Sequence, residues 1–429
     1  MSRMESELLR EEMYFEELEN GLKIFFMPRK GYTKQYAIFA TNYGSNDNMF
    51  IAPGENTITQ VPEGIAHFLE HKLFEEAEGN IFDKFSELGS DVNAYTNFTS
   101  TCYLFSSTDR FFENLALLIE FVQSPHFTDE NVEKEKGIIA QEIRMYDDDP
   151  NWKVFFNALR SMYHFHPVKN DIAGTIDSIN KITKEDLYKC YHTFYSPQNM
   201  ILFVTGDVDK EKVFQVVREH IKNGERKTEE EIKRIYPEEP STIVQNKIEE
   251  RLEVSIPLFN IAFKDRHCGE KGEKLLRKII AQRILLEMLF GKSSDFYTKL
   301  YEEGLINDTF GYEYTGEIQY GYSMLEGESK NPSQVFEKVM GYLEQIKKDG
   351  LNQEDFERIK KKFIGKHIAS YNSIESVATS FVAYYFKDIH IFDYIRELKD
   401  ISFKSIQERF HEDFSMQESV LSTILPKNI

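Results

Sequence analysis

Two histidines and a glutamate in His67-Phe68-Leu69-Glu70-His71 are the residues of this chain best suited to do chemistry. On an α-helix, residues i and i+4 share a face about one turn apart, so both imidazoles can reach one metal ion while Glu70 points into the same space. Catalytic zinc commonly takes three protein ligands and leaves one place for water, so a third donor is required. Its best source is the stretch 132–143, where Glu135 and Glu142 are seven residues apart and lie on one helical face. Spacing does not choose between them. Glu70 is expected to stay off the metal, to take a proton from the attacking water and to deliver it to the leaving amine, which makes peptide-bond hydrolysis the expected reaction. The alternative is a helix whose histidines are ordinary surface residues. Gly64 just ahead of the motif, with Leu69, Leu73 and Phe74 around it, instead suits a helix buried on one side.

The elements that must position these groups follow from hydrophobic periodicity. Residues 22–27 and 36–41 read as strands, 65–76 as the motif helix, 81–88 as a helix, 92–106 as strand material, and 111–123 and 130–146 as helices. The second half repeats the flavour, with strands near 252–263 and 309–324, a long helix at 270–290 and further helices to 414. Strands followed by runs of helices predict an α+β fold of two duplicated domains, each a mainly antiparallel sheet with helices packed on one face.

Sliding the chain on itself by 219 positions lays ITKEDLYKCYHTFYSPQNMIL (182–202) over ISFKSIQERFHEDFSMQESVL (401–421) without a gap. Ile182/Ile401, His192/His411, Ser196/Ser415, Gln198/Gln417 and Leu202/Leu421 are identical, while Leu187/Ile406, Tyr191/Phe410 and Tyr195/Phe414 keep their apolar character. An offset near half the chain length points to duplication of a domain. Residues 223–247, with Gly224, the charged run 227–233, Pro237 and Pro240, read as a linker between a catalytic zinc-binding half, 1–222, and a homologous metal-free half, 248–429. Aligning Leu289-Phe290 with Leu73-Phe74 puts Arg283, Leu286 and Glu287 where His67, Glu70 and His71 stand, so the second copy has no metal ligands.

At 429 residues the chain exceeds the size at which a single core keeps growing, which agrees with two or more domains. A formal charge of −20 opposes nucleic acid phosphates and anionic membranes and leaves cationic peptides favourable. Cys102, Cys190 and Cys268 are few, odd in number and widely spaced, as suits thiols in a reducing compartment. The Glu-rich amino terminus lacks the cationic and apolar regions of a secretory signal, and no apolar run approaches the length of a membrane span. A cytoplasmic protein is expected.

His-x-x-Glu-His inverts the thermolysin order and marks the inverzincins. PEGIAHFLEHKLFE (62–75), SDVNAYTNFTSTCYLF (90–105) and EKEKGIIAQEIRMYDDDP (133–150) resemble, in order, the active half of the pitrilysin, insulysin and mitochondrial-processing-peptidase family. The chain is most similar to its small bacterial two-domain members, including subunits that mature ribosomally made peptides. The resemblance implies one zinc ion bound by His67, His71 and Glu142, with Glu70 as general base and Glu135 supporting the catalytic site without completing it. It also implies that Asn93-Ala94 hold the substrate backbone as an added β-strand, and that the metal-free half encloses substrate against the active one.

Many relatives add an Arg and a Tyr seven residues later, in a non-metal half, to hold the scissile segment. No arginine of residues 248–429 has a tyrosine at that spacing, and the expected region reads Leu300-Tyr301-Glu302-Glu303-Gly304-Leu305-Ile306-Asn307, with Tyr312 or Tyr314 as the internal alternative. A homologous metal-free subunit carrying the Arg/Tyr pair is therefore the expected partner, in a heterodimer rather than a homodimer. The expected activity is zinc-dependent endopeptidase cleavage of short or unstructured peptides, as in precursor or leader processing. The alternative is a weakly catalytic or non-catalytic peptide-binding subunit of a larger assembly.

Overall fold

The computed structural model describes residues 1–75, 79–222, 231–414 and 418–427. Glu76, at the expected end of the motif helix, Ser415 and Gln417 of the repeat, and 223–230 of the expected linker lie outside them. The described residues form two compact units, the first from Met1–Ile143, Asn170–Tyr236 and Ser370–Phe386, the second from Arg144–Lys169, Pro237–Ala369 and Lys387–Ile429. These packing units do not coincide with the contiguous halves 1–222 and 248–429.

In the first unit a seven-stranded sheet runs Ser2–Ser6, Glu11–Glu17, Lys23–Pro28, Met200–Gly206, Gln35–Thr41, Thr101–Ser107 and Asp91–Thr96. Successive side chains of a strand alternate between faces. Ile24 and Phe26, Ala37 and Phe39, Tyr103 and Phe105, and Leu202 and Val204 accordingly share one core with Phe68, Leu69, Leu115, Ile139, Leu187 and Phe214 from the helices. Their neighbours Phe25 and Phe203 point the other way and pack on Phe381, with ring centroids 4.6 and 4.5 Å away. Phe381 belongs to helix Ile374–Tyr385, which the chain supplies near its carboxy terminus. Burying a ring of this size contributes about 1.5–3 kcal/mol toward seating the helix on the sheet.

The second unit holds a five-stranded sheet in the order Lys247–Leu252, Ser419–Pro426, Leu258–Lys264, Gly321–Glu328 and Gly311–Gly316. This order repeats the last five strands of the first sheet, including one parallel pair at the same place, Lys23–Pro28 with Met200–Gly206 and Lys247–Leu252 with Ser419–Pro426. Helix Pro150–Met162, from the first half of the sequence, covers this sheet through Val154, which packs with Leu258 and Ile424. Each sheet thus takes one helix from the other half of the sequence.

The repeated segments fold alike. Thr183 and Ser402, 219 positions apart, cap helices Lys184–Phe194 and Phe403–Asp413 by accepting a backbone N–H. Leu187 and Ile406, Tyr191 and Phe410, and Tyr195 and Phe414 are buried in both copies. The described part of the linker is anchored. Lys233–Arg234 pair with the strand Met49–Ile51, and Tyr236 Oη donates to buried Asp47 at 2.7 Å. Glu239, in the second unit, accepts the backbone N–H groups of His164, Phe165 and His166 at 2.9, 2.7 and 2.7 Å. Among the described residues no helix is long and apolar enough to cross a membrane.

Candidate metal centre and active site

The motif helix, Ile65–Leu73, starts at Gly64, whose φ of 87° is left-handed. A Cβ at Gly64 would lie 2.3 Å from the Ala173 carbonyl oxygen, so this close approach of two backbones needs glycine for both conformation and space. Asn170 Nδ2 donates to Glu63 Oε1 at 2.7 Å and Ser178 Oγ to Glu63 O at 2.8 Å, which pins the chain where the helix begins. Ile65, Phe68, Leu69 and Leu73 pack into the first core. Helical spacing places His67, Glu70 and His71 together on the remaining face.

Helix Asp129–Asp147 brings both glutamates to this face. His67 Nε2 lies 3.5 Å from Glu142 Oε1, and His71 Nε2 lies 3.6 Å from Glu142 Oε2. These three residues are the one group of metal-capable donors among the described residues, with ligand atoms all within 4.8 Å of one another. Donors on tetrahedral zinc, at bonds of about 2.0–2.1 Å, stand about 3.3 Å apart, so two imidazoles and a carboxylate at these separations fit that ion. Glu135 is placed differently. Its Oε1 lies 3.0 Å from His71 Nδ1 and its Oε2 lies 3.7 Å from Lys72 Nζ. A ligating histidine usually donates its second N–H to such a partner, which sets the tautomer and turns Nε2 toward the metal. His71 meets this condition, whereas His67 Nδ1 is buried and has no hydrogen-bond partner among the described residues. Burial works to lower the His71 pKa, but the Glu135 hydrogen bond and the charges of Glu70, Glu135 and Glu142 outweigh it and the value is raised.

Lys72 escaped the sequence reading. It is fully buried and paired with Glu75, and its charge also faces Glu135. Its signal was a lysine directly after the motif, on a helix whose apolar residues mark one buried side. Glu135→Gln keeps the shape of the side chain but removes the charge that serves both His71 and Lys72. The expected result is zinc affinity weakened by about 10–100-fold with the fold retained, read by competition with a chromophoric chelator. Unchanged affinity would remove Glu135 from the site.

Glu70 is buried, and its Oε2 accepts a hydrogen bond from Thr96 Oγ1 at 2.7 Å. Thr96 ends the strand Asp91–Thr96, which among the described residues is an edge strand paired only with Thr101–Ser107. Asn93 is exposed on this edge and its Oδ1 accepts the Ala94 N–H at 2.9 Å. Asn93 and Ala94 therefore sit side by side on an open sheet edge, on the strand that also touches Glu70.

At the corresponding place in the second unit the chemistry is different. Leu286 is fully buried, and Glu287 accepts from Tyr312 Oη at 2.5 Å and from Lys362 Nζ at 2.7 Å. A carboxylate meets an ammonium where the first unit has imidazoles meeting a carboxylate. Tyr314 is also committed, donating to buried Asp265 at 2.7 Å. The chain does contain one Arg followed seven residues later by Tyr, Arg29 and Tyr36, but in the first half of the sequence. Both are buried, and Arg29 is paired with Glu11.

Over 425 residues, 99% of each chain, the sequence is 42% identical to the uncharacterized zinc protease YmfH of Bacillus subtilis. The chain belongs to peptidase family M16. The family model described as insulinase (peptidase family M16) matches residues 45–176, which contain His67, Glu70, His71, Asn93, Ala94, Glu135 and Glu142. That described as the peptidase M16 inactive domain matches 181–363, which contain Arg283, Leu286 and Glu287. Zinc protease PqqE of Helicobacter pylori is 25% identical, covering 95% of this chain and 92% of that protein. Among solved structures, an M16-like peptidase from Alicyclobacillus acidocaldarius matches with a TM-score of 0.94 and 38% identity, over 97% of this chain and 99% of that one. A Helicobacter pylori protease shares the fold, with a TM-score of 0.82 at 22% identity, over 96% and 99% of the two chains. This M16 chain thus has relatives named zinc proteases along its whole length.

Proposed function

We propose that this M16 chain is a zinc-dependent endopeptidase that cleaves short or unstructured peptides, with His67, His71 and Glu142 holding one zinc ion. The observation that carries the reading is the convergence of His67 Nε2 and His71 Nε2 on the two oxygens of Glu142, beside the buried Glu70. Zinc there would supply a Lewis acid that lowers the pKa of water and polarises a carbonyl. Glu70 accepts the proton lost by the attacking water and passes it to the departing amine. Glu135 holds His71 through Nδ1. Asn93 and Ala94 receive the peptide as an added strand on the open edge, exchanging their mutual hydrogen bond for bonds to substrate backbone. An extended segment is the kind of chain that pairs in this way.

A metal-free homologous subunit supplying the Arg/Tyr pair is the partner we assign, in a heterodimer. What supports it is that Tyr312 and Tyr314 spend their hydroxyls on Glu287 and Asp265. Unpaired Cys102, Cys190 and Cys268 favour the cytoplasm. The test is cleavage of an unstructured peptide library by the zinc-loaded chain, alone and after addition of a candidate metal-free homologue from the same genome. Turnover that rises at least about tenfold on addition is expected. Full, selective cleavage by the chain alone would refute the partner, and absence of cleavage in every mixture would favour a non-catalytic peptide-binding subunit.

A further inference from the structure

We propose that Thr96 is a positioning residue for Glu70, holding Oε2 so that Oε1 is the atom that takes the proton. The inference rests on the reading of Glu70 as the general base.

Among the described residues Thr96 is the one hydrogen-bond donor to the Glu70 carboxylate. The surroundings show why a threonine does this. Thr96 faces Thr101 across the hairpin, with their Oγ1 atoms 3.2 Å apart. Thr101 is fully buried and spends its own proton on the Tyr43 carbonyl oxygen at 2.9 Å. Toward Thr96 it can then act only as an acceptor. Thr96 therefore has one proton and two acceptors, and the charged oxygen at 2.7 Å outcompetes the hydroxyl at 3.2 Å. A β-branched side chain restricts χ1 within the strand, which keeps the hydroxyl directed at the helix. Cys102, Tyr103 and Tyr195 are buried too, but among the described residues none of them hydrogen-bonds to Glu70, so they do not orient it.

The consequence concerns substrate. Thr96 stands two residues from Ala94 on the edge strand assigned to bind peptide. One strand then carries both the backbone groups that align the scissile bond and the hydroxyl that aims the base. A shift of that strand displaces both together, which keeps base and substrate in register.

Thr96→Val removes the hydroxyl at nearly constant volume and β-branching, and Thr96→Ser keeps the hydroxyl. Two measurements decide. In crystals of the zinc-loaded protein, Glu70 is expected to hold one rotamer in the wild type and in Thr96→Ser and to spread over two or more in Thr96→Val. In peptide cleavage, by the chain with whatever subunit it needs, Thr96→Val is expected to lower kcat on the order of ten- to a hundredfold with KM and zinc content unchanged, and Thr96→Ser to recover most of the loss. In a Glu70→Gln background, Thr96→Val should have no further effect. A single ordered Glu70 rotamer in Thr96→Val, or a kcat loss that Thr96→Ser fails to rescue, would overturn the proposal. If Glu70→Gln alone left turnover intact, the reading of Glu70 as base would fall, while the rotamer measurement would still judge the contact.

Discussion

Glu70→Gln is expected to reduce turnover of an unstructured peptide by about 10²–10⁴-fold while leaving zinc bound. Glutamine matches glutamate in volume, and its carbonyl oxygen can still accept the Thr96 hydroxyl, so neither packing nor the metal donors change. What disappears is the ability to take a proton. Glu70 is buried, 8% exposed, so few buffer molecules reach the place where a substitute base would have to stand. The remaining carboxylates are engaged, Glu135 with His71 and Lys72 and Glu142 with both histidines. The check is kcat from a quenched fluorescent peptide beside zinc content by elemental analysis. Activity within tenfold of wild type would place the base elsewhere, and loss of zinc would make Glu70 a ligand.

The second large effect is expected at Glu142. Glu142→Ala should abolish stoichiometric zinc binding at micromolar protein, a larger loss than the about 10–100-fold expected when a supporting group such as Glu135 is altered. Both imidazole Nε2 atoms lean on this one carboxylate, and without it two donors remain where zinc enzymes use three. Turnover should fall to background and stay there when zinc is added, whereas wild-type protein stripped by a chelator should regain activity. The fold should survive. Glu142 is partly exposed and not part of the hydrophobic core, so truncation removes little packing, and unfolding by denaturant should shift by less than about 1 kcal/mol in the metal-free proteins. Normal zinc retention by Glu142→Ala would move the ligand role to Glu135.

Local pattern carried much of this outcome. His67, Glu70 and His71 are close because of helical geometry, and that geometry belongs to any helix the segment forms. The repeat was legible for the same reason, since Leu187/Ile406 and Tyr191/Phe410 mark the inward face of one helix in each copy. Less was legible at the amino terminus. Ser2–Ser6 and Glu11–Glu17 are too polar to announce themselves as strands, yet they pair with each other and extend the sheet beside Lys23–Pro28. Helices Lys210–His220 and Pro150–Met162 likewise lie outside the elements expected from periodicity. Asp149 caps the latter helix through the backbone N–H groups of Asn151 and Trp152, with Pro150 in its first turn.

By itself the sequence pointed to the chemistry available to this protein: which residues are suited to bind zinc, which to move a proton, and which copy of the repeat carries other residue types at those positions. Those properties depend on residue type and on spacing within one helix. Tertiary structure alone decided the rest. Glu135 and Glu142 are equivalent by periodicity, and only the packing of helix Asp129–Asp147 against the motif helix gives one to His71 Nδ1 and the other to both Nε2 atoms. Lys72, Thr96 and the helices Pro150–Met162 and Ile374–Tyr385 take their places the same way. The physical reason is that contacts between distant segments depend on which faces are buried together, and no local periodicity encodes that choice.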